Sequence, residues 1–222
     1  MKYHIEVILL LILCIWQAGC NNETGLTRQD VNRQDVRASA VVIAPQASNV
    51  SYQDKRSGED HFGEANNLAD GRKANEALKE YDLAIARGYD TAELRYEMGS
   101  VLASQLNRYE EAVEQFHIAV QRDEKYWRAH WALARALLEI KQYNEALSEL
   151  DIAKRLDPSA EGLPIYAYYN AKALEGINRY HEALQNYETY LQYEDKIAPN
   201  SKEAHEVRER IKTVKEKMNI HQ

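Results

Sequence analysis

The sequence holds only two cysteines, four prolines and nine glycines in 222 residues. Both cysteines, Cys14 and Cys20, fall in the first twenty residues, so the remainder has no disulfide to draw on and depends on its apolar core. Few prolines and glycines mean few helix breakers, and abundant Ala, Leu, Glu, Lys, Arg and Gln favour helix over strand, so the chain reads as all-α. No basic excess is present either. A net charge of −7 argues against a nucleic-acid partner, whose phosphates demand a basic surface. The apolar run from Val7 to Trp16 is about half the ~20 residues needed to span a bilayer core.

Catalytic signatures are missing too. His61, His117, His130, His181 and His205 never form the His-Glu-x-x-His pattern of zinc proteases, and His181 and His205, each followed by Glu, lack the second histidine. There is no Gly-rich phosphate loop, no Gly-x-Ser-x-Gly elbow and no cysteine after Cys20. The expectation is a non-enzyme with no cofactor and no metal.

The first residues, MKYHIEVILLLILCIWQAGC, place Lys2 ahead of the apolar run and small residues ahead of a cysteine, the layout of an export signal. The ending QAGC resembles the bacterial lipobox, departing from it at Gln17, where leucine is usual. That resemblance implies a signal over 1–19 and a lipid-modified, palmitate-bearing Cys20 as the mature N-terminus. Asn21 is not the aspartate that marks inner-membrane retention, which by the same analogy implies the outer membrane, facing the periplasm. Residues 20–58 are rich in Asn, Gln, Ser, Asp and Arg, a composition too poor in apolar surface to offset the entropy of ordering. They read as a flexible leash with a reach of roughly 35 Å. The Val-Val-Ile-Ala run from Val41 reads alternatively as a short docking segment.

From Glu59 the sequence begins to echo itself. Ala77, Ala112, Ala146 and Ala183 recur at steps of 35, 34 and 37 residues. Each opens a triplet with spacing four then three: Ala77, Tyr81, Ala84; Ala112, Phe116, Ala119; Ala146, Leu150, Ala153; Ala183, Tyr187, Tyr190. Such offsets share one face of a helix, small residues for close approach and a large one to fill the gap. Preceding stretches contribute Gly99, Ala134 and Ala171 as small-residue slots, with Met98, Leu102, Leu133, Leu137 and Leu174 as apolar partners. This pattern over 59–195 resembles the tetratricopeptide repeat, most completely from Trp127 to Ala160 with Pro158 closing the unit. The second unit carries an extra residue near Leu106 and Asn107, and Asn170 replaces a usual leucine. The resemblance implies a superhelix of about four helix-turn-helix repeats.

Residues 196–222 read as a capping helix. Asn200 with Glu203 looks like a capping box, and Ala204, Val207, Ile211, Val214 and Met218 form one stripe backed by charge. The same stripe also suits a coiled-coil seam, which leaves a homo-oligomer as the alternative to a lid.

By the resemblance, the first helix of each repeat lines a concave groove. Phe62, Tyr96, Trp131 and Tyr168 would face it, with Asn66, Ser100, Arg135 and Lys172 one turn further on and Arg128 nearby. Aromatic, hydroxyl and cationic groups in that order suit a peptide with apolar side chains and a carboxylate. Phe62 stands where chaperone-tail clamps of this repeat carry lysine, which argues against that ligand. The chain is similar to small repeat lipoproteins that assist pilus assembly, outer-membrane protein assembly or cell-wall hydrolase recruitment. The reading is a membrane-tethered adaptor for another envelope protein; the alternative is a structural protein that self-associates through its last helix. Replacing Cys20 by serine should move the protein from the membrane to the soluble fraction; retention would point to an uncleaved apolar segment as the anchor.

Overall fold

A computed structural model describes residues 54–157, 159 and 164–220. The expected signal, Cys20, nearly all of the expected leash and Pro158 lie outside them. The chain divides into units 1–46 and 47–222, and all the described residues fall in the second.

The described residues form nine helices and no strand. Four antiparallel hairpins follow one another: α1 (Gly58–Asp70) with α2 (Ala74–Ala86), α3 (Ala92–Leu106) with α4 (Tyr109–Arg122), α5 (Trp127–Glu139) with α6 (Tyr143–Leu156), and α7 (Pro164–Gly176) with α8 (Tyr180–Ile197). A ninth helix, α9 (Lys202–Ile220), packs on α8. The result is an all-α tetratricopeptide-repeat superhelix, in which each second helix also touches the first helix of the next hairpin. The thinnest of these junctions is that between α2 and α3. The last repeat helix runs to Ile197, past the expected boundary at 195.

The hairpin turns repeat as faithfully as the helices. Arg72, Asn107, Lys141 and Asn178 each sit two residues before a second helix with φ between 55° and 62°. This left-handed residue reverses the chain and lets a following N–H close on the first helix: Lys73 to Leu68, Gln142 to Leu137 and Arg179 to Leu174, all at 2.9 Å. In the second hairpin Arg108 closes on Leu102, one residue further back. The extra residue expected between the helices is thus taken up by α3 itself, which has 15 residues where α1, α5 and α7 have 13.

The repeated alanines mark where helices touch. Ala77, Ala112, Ala146 and Ala183 are fully buried, and Tyr81, Phe116, Leu150 and Tyr187 fill the adjacent volume. Gly99 shows how tight the fit is, since a Cβ built there would lie 2.7 Å from the Phe116 ring. The four clusters of buried residues are linked by shared neighbours: Leu78, Met98 and Leu106 between the first two hairpins, Leu147 and Tyr169 further on. One apolar core therefore runs the length of the stack.

Polar pairs also recur, four residues before each small-residue slot. His61 Nδ1 lies 2.6 Å from Glu80 Oε2, Arg95 Nη1 donates to Gln115 Oε1 at 2.8 Å, and His130 Nδ1 lies 2.6 Å from Glu149 Oε2. Each joins the two helices of one hairpin across an otherwise apolar contact, where an unpaired polar group would be costly. The fourth hairpin has Ala167 and Asn186 in these places, and Asn186 bonds its own helix at the Glu182 carbonyl.

Both ends of the stack are finished. Ser57 and Asp60 form a capping box at the start of α1, and Arg87 donates to the Asp54 and Arg56 carbonyls at 2.7 Å each. At the other end Ser201, not Asn200, caps α9 by accepting from the Ala204 N–H at 3.0 Å, because the helix begins one residue later than the spacing suggests. The α9 stripe packs inward: Ala204, Val207 and Val214 are fully buried, and Ile211 and Met218 lean on the same cluster. That use of the stripe leaves a solvated outer face and no free coiled-coil seam. Ion pairs add to the docking, since Glu175 on α7 accepts from Lys217 Nζ at 2.9 Å and from the Tyr187 hydroxyl at 3.0 Å, with Arg210 close by.

Two outcomes follow from this packing. Gly99→Ala should destabilise the stack by about 1–3 kcal/mol in urea unfolding through overpacking against Phe116, whereas Gly63→Ala, in open space on α1, should stabilise by about 0.5–1 kcal/mol. The second concerns Glu175. Burial acts to raise its pKa, but Lys217, Tyr187 and Arg210 together outweigh burial and hold the carboxyl below its usual value. A depressed folded-state pKa means stability that is complete above the ordinary value near ~4.3 and lost as pH falls through the depressed one. Glu175→Gln should therefore cost about 1–2 kcal/mol at neutral pH, and the gap from wild type should close on acidification below pH ~4.

Candidate functional site

The first helices α1, α3, α5 and α7 lie side by side, and α3, α5 and α7 enclose a groove between them. Its main cavity, about 540 Å³, brings together Tyr96, Ser100, Trp131, Arg135, Tyr168 and Lys172, six of the positions named from the sequence. Ser104 and Asn107 add polar atoms at one side and Glu139 a carboxylate at the other.

Helical spacing explains this convergence. Tyr96, Ser100 and Ser104 advance by four residues, so they share one face of α3, with Asn107 in the turn just beyond; Trp131 and Arg135 do the same on α5, Tyr168 and Lys172 on α7. The aromatic rings are only partly buried, and they steady one another edge to face. Trp131 meets Tyr166 at 4.6 Å and Tyr169 at 5.0 Å between centroids, and Tyr96 meets Tyr126 at 5.3 Å. Burial, followed by the nearby Glu206 carboxylate, raises the Tyr168 hydroxyl pKa, so this group is a neutral donor at physiological pH. Its partner is Glu206 of α9, at 3.4 Å. The capping helix thus borders the groove.

Tyr169 is the residue the sequence reading missed. It touches Trp131 and Tyr168, and the Arg135 guanidinium and Lys172 ammonium lie over its ring at 5.6 and 5.8 Å. The only signal was a second tyrosine beside Tyr168, and the one-per-repeat register directed attention to the first. Lys172 also pairs with Glu139 at 3.6 Å. The arrangement is an aromatic floor crossed by two cations, suited to an apolar side chain and a carboxylate.

Other expected positions lie elsewhere. Phe62 is buried against Tyr81 and Tyr89 and belongs to the core of the first hairpin. Asn66 accepts from the Tyr81 hydroxyl at 2.7 Å. Arg128 does not line the cavity; it leans over the Trp127 ring at 5.3 Å in the first turn of α5. Ser100 donates to its own helix at the Tyr96 carbonyl, leaving its acceptor lone pairs toward the groove. A second cavity, about 830 Å³, lies where the α1–α2 turn meets the end of α3 and has no aromatic lining. Among the described residues no group of His, Cys, Asp or Glu is placed to hold a metal, and no helix is long and apolar enough to cross a membrane.

Comparison with known proteins agrees with this architecture. A tetratricopeptide repeat family model matches residues 102–161, the span from the end of α3 through α6 and a few residues beyond. Among solved structures, YrrB, described as a TPR protein with an unusual peptide-binding site, is 20% identical with a TM-score of 0.59, covering 68% of this chain and 74% of its own. MamA from Desulfovibrio magneticus is 18% identical with a TM-score of 0.56, covering 72% and 96%. PilF of Pseudomonas aeruginosa is 22% identical with a TM-score of 0.53, covering 69% and 82%. At these identities the likeness establishes the fold alone.

Trp131→Ala should cost about 2 kcal/mol of stability, below the range for a fully buried tryptophan, because half the ring is core to Tyr166 and Tyr169. Arg135→Glu, at an exposed position, should leave the unfolding midpoint within about 0.5 kcal/mol of wild type. The pair separates packing from recognition in any binding assay.

Proposed function

We propose that this chain is a non-catalytic adaptor, tethered to the bacterial envelope through a lipid on Cys20, that captures a polypeptide segment of another envelope protein in the groove over α3, α5 and α7. The observation that carries the reading is the half-exposed aromatic cluster crossed by Arg135 and Lys172, a surface with more apolar area and cationic charge than its own packing uses. The peptide-binding site described for YrrB, a protein of like fold, supports the same use of the superhelix. The lipobox-like ending and the polar residues 20–58 support the tether, which raises the partner's local concentration at the membrane.

Site-specific photocrosslinking in intact cells tests this. A photoreactive residue at Ser104, in the groove, should yield a discrete adduct that the Arg135→Glu variant loses; the same probe at Lys212, on the outer face of α9, should yield none. An adduct from Lys212 alone would move recognition to the cap and end the groove reading.

A further inference from the structure

Charge is unevenly distributed along the groove. Glu93 and Glu97 precede Ser100 by seven and three residues and so share its face of α3, just beyond the residues that line the main cavity, and Asp70 at the end of α1 acts on Glu97 as well. These carboxylates are poorly compensated. Burial, then Glu93 and Asp70, push the Glu97 carboxyl pKa up, and Arg128 alone opposes them. Two helices further on the sign reverses: Arg135 and Lys172 straddle Tyr169, and Glu139 is the one carboxylate in the cavity. Tyr96, next to Glu97 in sequence, and Trp131, one turn before Arg135, both line the cavity.

We propose that the groove selects a bipolar polypeptide segment: a lysine or arginine over Glu93 and Glu97, an apolar side chain against Tyr96, Trp131 and Tyr169, and an aspartate or glutamate between Arg135 and Lys172. The proposal rests on the groove being the capture site and specifies what it captures. Helices packed ~8–10 Å apart put α3 and α7 roughly 16–20 Å apart, which an extended segment covers in about five or six residues. A segment with one sign of charge meets repulsion at one end of the groove, so the two fields exclude uniformly acidic and uniformly basic partners alike.

The test uses the folded protein and three labelled peptides with blocked ends, alike except at two positions about six residues apart flanking a central tryptophan: Lys and Glu, Glu and Glu, or Lys and Lys. Fluorescence anisotropy at low salt should show the Lys/Glu peptide binding about tenfold more tightly than either other, with the preference shrinking as salt screens it. Glu93→Gln with Glu97→Gln should raise affinity for the all-Glu peptide, and Arg135→Gln with Lys172→Gln should raise affinity for the all-Lys peptide. Equal binding of the three peptides, or a preference that neither double variant moves, overturns bipolar selection and leaves groove capture standing. Binding of none, with circular dichroism showing the helices intact, overturns groove capture and this proposal together.

Discussion

The whole stack depends on one steric arrangement: a large side chain of each second helix enters space that only glycine or alanine on the first helix leaves open. Phe116 against Gly99 is the tightest instance, and the fully buried Ala134 and Ala171 hold the same place in later hairpins. Close approach there brings the helix backbones near enough for Leu102, Leu137 and Leu174 to bury just ahead of the hairpin turns. A lone hairpin leaves its apolar face open, so stability accumulates through neighbours and the ends need separate finishing. The capping box at Ser57 and the charged outer face of α9 supply that finish.

The groove is a by-product of the same geometry. First helices set side by side by the stacking of hairpins expose one face each, and whatever side chains occupy that face are presented together. The groove side chains thereby sit on rigid elements while the packing residues stay invariant in role. Trp131 belongs to both sets, lying against Tyr166 beneath and the cavity above, whereas Arg135 belongs to the surface alone.

Much of this was legible in the sequence, because repeat periodicity averages over local accidents. The alanine steps, the small-residue slots and the α9 stripe each lie where the spacing put them. Single residues were harder. Phe62 occupies a groove register, but Tyr81 and Tyr89 enclose the ring in the core of the first hairpin, a pairing that the register of α1 does not encode. Tyr169 sits one residue off the repeat register and matters because Arg135 reaches it from another helix, a meeting that no spacing within α7 encodes. The His61–Glu80 and His130–Glu149 pairs were hidden for a similar reason: each joins two helices across nineteen residues, and neither partner is unusual by itself.

The thin junction between α2 and α3 has a mechanical side. If the chain is held at the membrane by its N-terminus, any pull on the captured partner travels through residue 54, then through the Arg87 contacts, and reaches that seam before any better-knit one. The first hairpin would then peel away as a shock absorber, lengthening the tether under load while the groove behind it keeps its grip.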